Sequence, residues 1–263
     1  MRVLTTQDFI IALFCQVDQE MTAVPKRPDA KLYPSEVVTL ALLFAFKGVG
    51  TRAFYRWLTR DYQALFPQVP ERTRLFRLFK THAAWTARFL AAPTVLGVAD
   101  TYGIEFIHPM RAGRSPAQLG KQGKSNHRWI VGGKLCFIVH QWGLICAWDC
   151  ATANVHDTHF QPLIAQFNNL MIVLTDTEFH TTDGDLANMK VCPRGTWNTR
   201  MLGETVLSML TTVCHCKQMH HRVWAYFRAH LAWGMAAFNI LAQWTLEIDD
   251  NDRVHFSIAE FSL

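Results

Sequence analysis

The chain has 263 residues, half of them apolar, with 26 Lys and Arg against 21 Asp and Glu. That length and composition suffice for a sizeable core and exclude a disordered or collagen-like chain. The basic residues gather early, 13 against 7 acids in residues 1–90 and 6 against 2 in 91–142, whereas 143–263 holds 7 against 12. Such an asymmetry suits a polyanion bound by one part of the chain and processed by another.

Seven cysteines without framework spacing, and no signal peptide, point to a reducing compartment, with the cytoplasm as the expectation. The longest apolar runs, VVTLALLFAF and HLAWGMAAFNILAQW, are too short or too polar to span a bilayer and read as buried helices.

In chain order, residues 1–22 carry apolar positions at helical spacing, and VPKRPDAKLYP then breaks the pattern with three prolines. Ser35 and Glu36 are read as cap and first turn of a helix through Phe46, which Gly48 and Gly50 end. A helix from Thr51 to Tyr62 would present Arg52, Arg56 and Arg60 as a basic stripe. Another, from Glu71 to about His82, interleaves basic and apolar residues. This region, residues 1–92, is expected to be helical and to contact DNA, although a plain helical packing unit fits the periodicity equally well.

From Thr94 the pattern turns to β. TVLGVAD is an apolar run closed by Asp100, and IEFIHP suggests a second short strand. The Gly-, Lys- and Arg-rich stretch MRAGRSPAQLGKQGKSNHRW, with Lys121 and Lys124, reads as a basic loop. Ile130–His140, containing Lys134, and Leu144–Ala151 read as a hairpin turning at Gly143. A helix then crosses to LMIVLTDTEF, a buried strand ending at Asp176. A short strand near Lys190–Cys192, a helix bearing Arg200 and Glu204, and a long apolar helix of about His221–Trp244 complete the chain.

Two strand-borne aspartates and a helical glutamate are the donor set of a two-metal phosphodiester site, since hard Mg²⁺ or Mn²⁺ ions take carboxylate oxygens. Asp100, Asp176 and Glu204 are therefore the candidate catalytic residues and metal ligands. Glu105, Asp149, Asp157, Glu178, Asp183 and Asp185 compete with them, Glu178 most closely. Any one acid at a strand end is commonly structural, and Arg200 with Glu204 also fits a surface pair. CHCKQMHH (Cys214, His215, Cys216, His220, His221) invites a zinc reading, but Cys-x-Cys at a helix end points its thiolates apart. Buried sulfurs with exposed imidazoles are the plainer expectation.

The strand order resembles the ribonuclease-H-like fold: an α/β mixed sheet flanked by helices, here over residues 93–263. Several motifs are similar to those of bacterial insertion-sequence transposases of the DDE type: VADTYGIE, GKSNHRWIVGGKLCFIV, ATANVHDTHFQPLI, LTDTEF and RMLGETVLSML. The resemblance spans about Val98 to Asn239. It implies cleavage at the ends of a mobile element in double-stranded DNA and attack of the freed 3′ hydroxyl on target DNA. It implies also two Mg²⁺ or Mn²⁺ ions, a homodimer on DNA and a prokaryotic cytoplasm. Arg200, Trp197, Lys134, Lys121, Lys124, Arg52, Arg56 and Arg60 become supporting or DNA-contacting candidates. Many relatives place Tyr and Lys where this chain has Trp197 and Thr211, and a glycine after the second acid where it has Thr177-Glu178. A decayed copy that only binds DNA, or a ribonuclease-H-like nuclease without strand transfer, are the alternative readings.

Overall fold

A computed structural model describes residues 5–125, 128–182, 184–193, 201–217, 219, 221–248, 254–258 and 261. The amino end forms four helices, α1 (Thr6–Met21), α2 (Pro34–Lys47), α3 (Thr51–Asp61) and α4 (Arg72–Thr81), followed by a 3-10 turn at Ala83–Phe89. Thr5 and Asp8 form a capping box at α1, satisfying two N–H groups the helix leaves open. α2 starts two residues earlier than its sequence suggests. The Glu36 carboxylate accepts from the Tyr33 N–H at 2.7 Å, so Tyr33 takes the cap position and Ser35 is buried inside the first turn. Pro34 tolerates the first helical position because no intrahelical bond needs its missing N–H. Gly48, at φ 62°, ends α2 in the left-handed conformation that glycine adopts without strain.

The β-rich part consists of β1 (Leu96–Ile107), β2 (Lys121–Ser125), β3 (Arg128–His140), β4 (Ile145–Thr152), β5 (Ile172–Thr175) and β6 (Met189–Val191). β1 is one twelve-residue strand rather than two short ones. Thr101 and Tyr102 are good strand formers, and antiparallel pairing to β3 runs from Gly97↔His140 to Ile107↔Val131. The basic stretch before β3 is not all loop: Lys121–Ser125 pairs antiparallel with β3. Gly132 makes the close packing of these strands possible, because a Cβ there would lie 1.9 Å from the Ile104 carbonyl oxygen.

β4 pairs antiparallel with β3, along the edge of β3 that β2 occupies further toward its start. On the other side of β3 lies β1, then β5 and β6, each parallel to its neighbour. The result is a mixed six-stranded sheet. The crossover from β4 to β5 uses a 3-10 turn (Asp157–Phe160) and α5 (Gln161–Ala165). After β6 come α6 (Met201–Thr212), α7 (Trp224–Thr245) and a small pair, β7 (Glu247–Ile248) and β8 (Val254–His255).

Alternation along the strands divides the core in two. Val98, Leu135, Phe137, Val139 and Leu174 face one way, into a continuous cluster with α1, α2, α4, α6 and α7. Ala99, Cys136, Ile138 and Val173 face the other way, onto Phe160, Ile164 and Phe167 of the crossover. α7 is the keystone of the larger cluster. Its fully buried Asn239 accepts from the Ile145 N–H at 2.8 Å and donates to the carbonyls of Ile145 and Phe89 at 2.8 and 2.9 Å. One amide thereby ties the helical region to β4. Among the described residues no helix is long and apolar enough to cross a membrane.

Candidate active site

Asp100 and Asp176 are related by strand register. The parallel pairs Leu96↔Ile172, Gly97↔Val173 and Val98↔Leu174 end two residues before Asp100 in β1 and two residues before Asp176, which follows the last residue of β5. Two residues is one pleat repeat, so Asp100 shares the face of Val98 within β1. Asp100 sits within β1 rather than at its end. What ends there is its neighbour: β5 stops at Thr175, and that edge of β1 opens beside the acid. Both aspartates are half-buried.

Each acid also orders its own backbone. Asp100 Oδ1 accepts from the Thr101 N–H at 2.8 Å. Asp176 caps a 3-10 turn, Thr177–Phe179, accepting from the Glu178 N–H at 3.0 Å. That turn removes Glu178 from the site. A continuing strand would return Glu178 to the face of Asp176, but the chain bends, and Glu178 lies exposed with an oxygen 3.4 Å from His156 Nε2.

α6 packs on β1 one residue before Glu204. Gly203 is buried against β1, and a Cβ on it would lie 3.4 Å from Asp100 Cβ, 3.5 Å from Val98 Cγ1 and 3.6 Å from Asp100 Oδ2. Glu204, the next residue in the first turn, is exposed beside that contact. The three acids do not close into one cage: among the described residues no group of three or more His, Cys, Asp or Glu is arranged to hold a metal ion. Arg200 and Trp197 lie outside the described residues.

Lys134 is placed differently from a DNA-contacting lysine. It points to the other face of the sheet, where Nζ donates to Asp157 Oδ1 at 2.5 Å, and the two side chains are only 12% and 8% exposed. Thr101 Oγ1 donates to the second oxygen of Asp157 at 2.6 Å. Asp157 is thus a buried, matched carboxylate, and the sequence alone does not separate it from the acids of the site. The other rivals are also engaged elsewhere, Glu105 with Arg128 at 3.6 Å, Asp149 with Arg228 at 3.1 Å and Asp185 with His180 at 3.0 Å. Asp183 lies outside the described residues.

The remaining cationic candidates are on the surface. Arg52, Arg56 and Arg60 are exposed along α3 while Phe54 and Leu58 of the same helix are fully buried, as the spacing of the stripe requires. Arg60 is clamped by Asp61 through two bonds of 2.7 and 2.8 Å. Lys121 and Lys124 stand exposed on β2, next to exposed Arg128 and Trp129 of β3.

Cys214 and Cys216 are buried, and desolvation raises both thiols, Cys216 to about 12. Both sulfurs pack within the larger hydrophobic cluster. His221 is not an exposed imidazole: it is half-buried, with Nε2 2.8 Å from His230 Nδ1. His220 lies outside the described residues.

The sequence matches no protein-family model and no curated protein.

Proposed function

We propose that this chain is a DNA transposase of the DDE type, cutting transposon ends and joining the 3′ hydroxyl to target DNA. The observation that carries the proposal is the register of β1 with β5, whose parallel pairing ends two residues before each of Asp100 and Asp176, with Gly203 packing α6 on β1 beside Asp100. The sheet supports the same reading. β3 pairs antiparallel with β1, β2 and β4, and after a crossover β5 and β6 run parallel to β1, in a mixed sheet of order β2-β3-β1-β5-β6 with β4 beside β3, which is compatible with a ribonuclease-H-like arrangement.

The donors at this place are carboxylate oxygens, which fit a hard divalent cation, and Mg²⁺ or Mn²⁺ sites complete themselves with water. Asp100 and Asp176 would hold one ion between them, with Glu204 as a ligand of the second. Bound there, such ions lower the pKa of an attacking water or hydroxyl and neutralise charge on the phosphate. The chain's own part is positional. β1 carries Asp100 and the end of β5 leads into Asp176, the Thr101 and Glu178 N–H groups donate to their oxygens, and α6 would bring in Glu204. Exposed Arg52 and Arg56, together with Lys121, Lys124 and Arg128, supply the cationic surface that duplex DNA requires. A homodimer joining two transposon ends belongs to the same reading.

The lack of a closed three-acid group among the described residues favours a second reading, a decayed copy that keeps the scaffold and DNA binding without turnover. Titrating Mn²⁺ into the protein by calorimetry, with Asp100→Asn and Asp176→Asn alongside, separates them. Asparagine keeps the oxygen that accepts from Thr101 or Glu178, so both variants should fold within about 0.5 kcal/mol of the parent. Saturable binding lost in both variants supports the catalytic reading. If the parent binds no Mn²⁺ even with duplex DNA present, the decayed copy is the better description. Joining of pre-cut terminal DNA to a plasmid then distinguishes a transposase from a nuclease.

A further inference from the structure

Away from the acid site, a cavity of about 330 Å³ opens between α2, α4 and the start of α7. Its size falls at the small end of small-molecule sites. Its walls are aromatic: Phe44, Phe76, Phe79, Tyr226 and Trp233. Phe44 and Phe76 stand edge to face with centroids 4.7 Å apart, and the Trp233 indole N–H is already spent on the Phe79 carbonyl at 3.0 Å. The interior therefore offers ring faces and few polar groups.

The mouth is cationic. Arg72 and Lys80 of α4 and Arg222 before α7 line it, with the hydroxyls of Thr51 and Thr73, and no acid is among the described lining residues. Lys80 Nζ lies 5.2 Å from the centroid of the Tyr226 ring, a cation over the aromatic wall at the entrance. At the inner end His230 packs its ring beside Phe44, centroids 4.9 Å apart, and burial keeps it neutral, its pKa lowered to about 3. The positive charge is thus confined to the mouth.

Apolar ring faces inside and two or three cations at the opening select a flat aromatic body that carries an anion at one end. We propose that this cavity binds a nucleobase bearing a 5′ phosphate, the base stacked among the aromatic walls and the phosphate held by Arg72, Lys80 and Arg222. Base stacking on aromatic side chains tolerates any base, and arginine pairs with phosphate through two parallel N–H donors. The same group is offered by a free mononucleotide or by an unpaired terminal nucleotide of a DNA strand. The inference does not depend on Asp100 and Asp176, which lie on another part of the molecule.

The test uses the full chain and 2-aminopurine deoxyriboside 5′-monophosphate, whose fluorescence is quenched on stacking. Saturable quenching is expected, at least about tenfold weaker for the nucleoside without phosphate, because the mouth cations then have nothing to bind. Thr73→Trp fills the mouth from an exposed position without emptying the core and should abolish quenching while leaving the Mn²⁺ response intact. Lys80→Glu with Arg222→Glu should weaken the nucleotide and spare the nucleoside. Competition by a 5′-phosphorylated DNA with an unpaired end, but not by a blunt duplex, assigns the pocket to strand ends. Competition by neither leaves the free nucleotide as its ligand. No saturable quenching in the parent, or quenching that survives Thr73→Trp, overturns the proposal. Loss of Mn²⁺ binding with nucleotide binding retained would remove the transposase reading alone.

Discussion

Asp100 and Thr101 are consecutive on β1, yet they serve acids on opposite faces of the sheet. On the crossover side, Asp157 is nearly enclosed and both its oxygens are taken, one by the Lys134 ammonium and one by the Thr101 hydroxyl. On the α6 side, Asp100 in β1 and Asp176, just past the end of the parallel neighbour β5, are only half-buried. The contrast is between an acid enclosed by the fold and acids that stay partly open to solvent.

The largest effect should come from breaking the matched side. Asp157→Ala strands the Lys134 ammonium in the interior, and removing one partner of a buried pair costs about 3–5 kcal/mol. Lys134→Met combined with Asp157→Leu removes both charges and should recover most of that loss, since the desolvation cost disappears along with the attraction. Urea unfolding of Lys134→Met, of Asp157→Leu and of the double variant gives the coupling directly. If Asp157→Ala unfolds within about 1 kcal/mol of the parent, the Lys134–Asp157 pair contributes no more than an exposed one.

Acid should expose a second buried group before it reaches any carboxylate. His230 has its pKa lowered to about 3, first by desolvation and then by the nearby His221 and His215. Its ordinary value is 6.5, so between pH 6.5 and 3 the unfolded chain binds a proton that the folded chain refuses. Stability therefore falls as pH drops through 6.5, and this contribution levels off below about 3. At pH 5 the loss from His230 alone is about 2 kcal/mol relative to pH 7. His82, His140 and His215 are lowered too, each chiefly by burial, and add slope of the same sign. His230→Phe should flatten the pH dependence of the urea midpoint between pH 7 and 5; an unchanged slope would show that His230 is protonated in the folded protein.

These differences also mark what the sequence could and could not disclose. The apolar runs before Asp100 and Asp176 are legible because strands buried on both faces must be apolar, and Gly48 is legible as a helix end because few other residues tolerate its φ. The arginine stripe of α3 follows from helical period alone. Register is another matter. That the pairing of β1 with β5 stops two residues before each of Asp100 and Asp176 depends on which residues pair across the strands, and no local pattern encodes it. The burial of Lys134 is hidden for a similar reason, since its partner lies 23 residues away and reaches it only through the crossover. Glu178 misleads because its spacing from Asp176 means one thing on a strand and another on the 3-10 turn that Asp176 itself caps.

The smallest expected effect concerns the contact that brings the third acid to the site. Gly203 packs α6 on β1, but its space is not fully used: a methyl group there would meet Asp100 Cβ at 3.4 Å and Val98 Cγ1 at 3.5 Å, ordinary contact distances. Glycine within a helix costs about 0.5–1 kcal/mol relative to alanine. Gly203→Ala should therefore raise stability by about that amount and leave any Mn²⁺ response at Asp100 and Asp176 in place. Gly203→Leu has no such room. It must lift α6 from β1, costing about 1–3 kcal/mol, and it carries Glu204 away with the helix. If Glu204 takes part in metal binding, the leucine variant loses affinity at a temperature where it remains folded, while the alanine variant keeps it. Equal affinity in both would leave Asp100 and Asp176 as a two-acid site and Glu204 as a surface residue of α6.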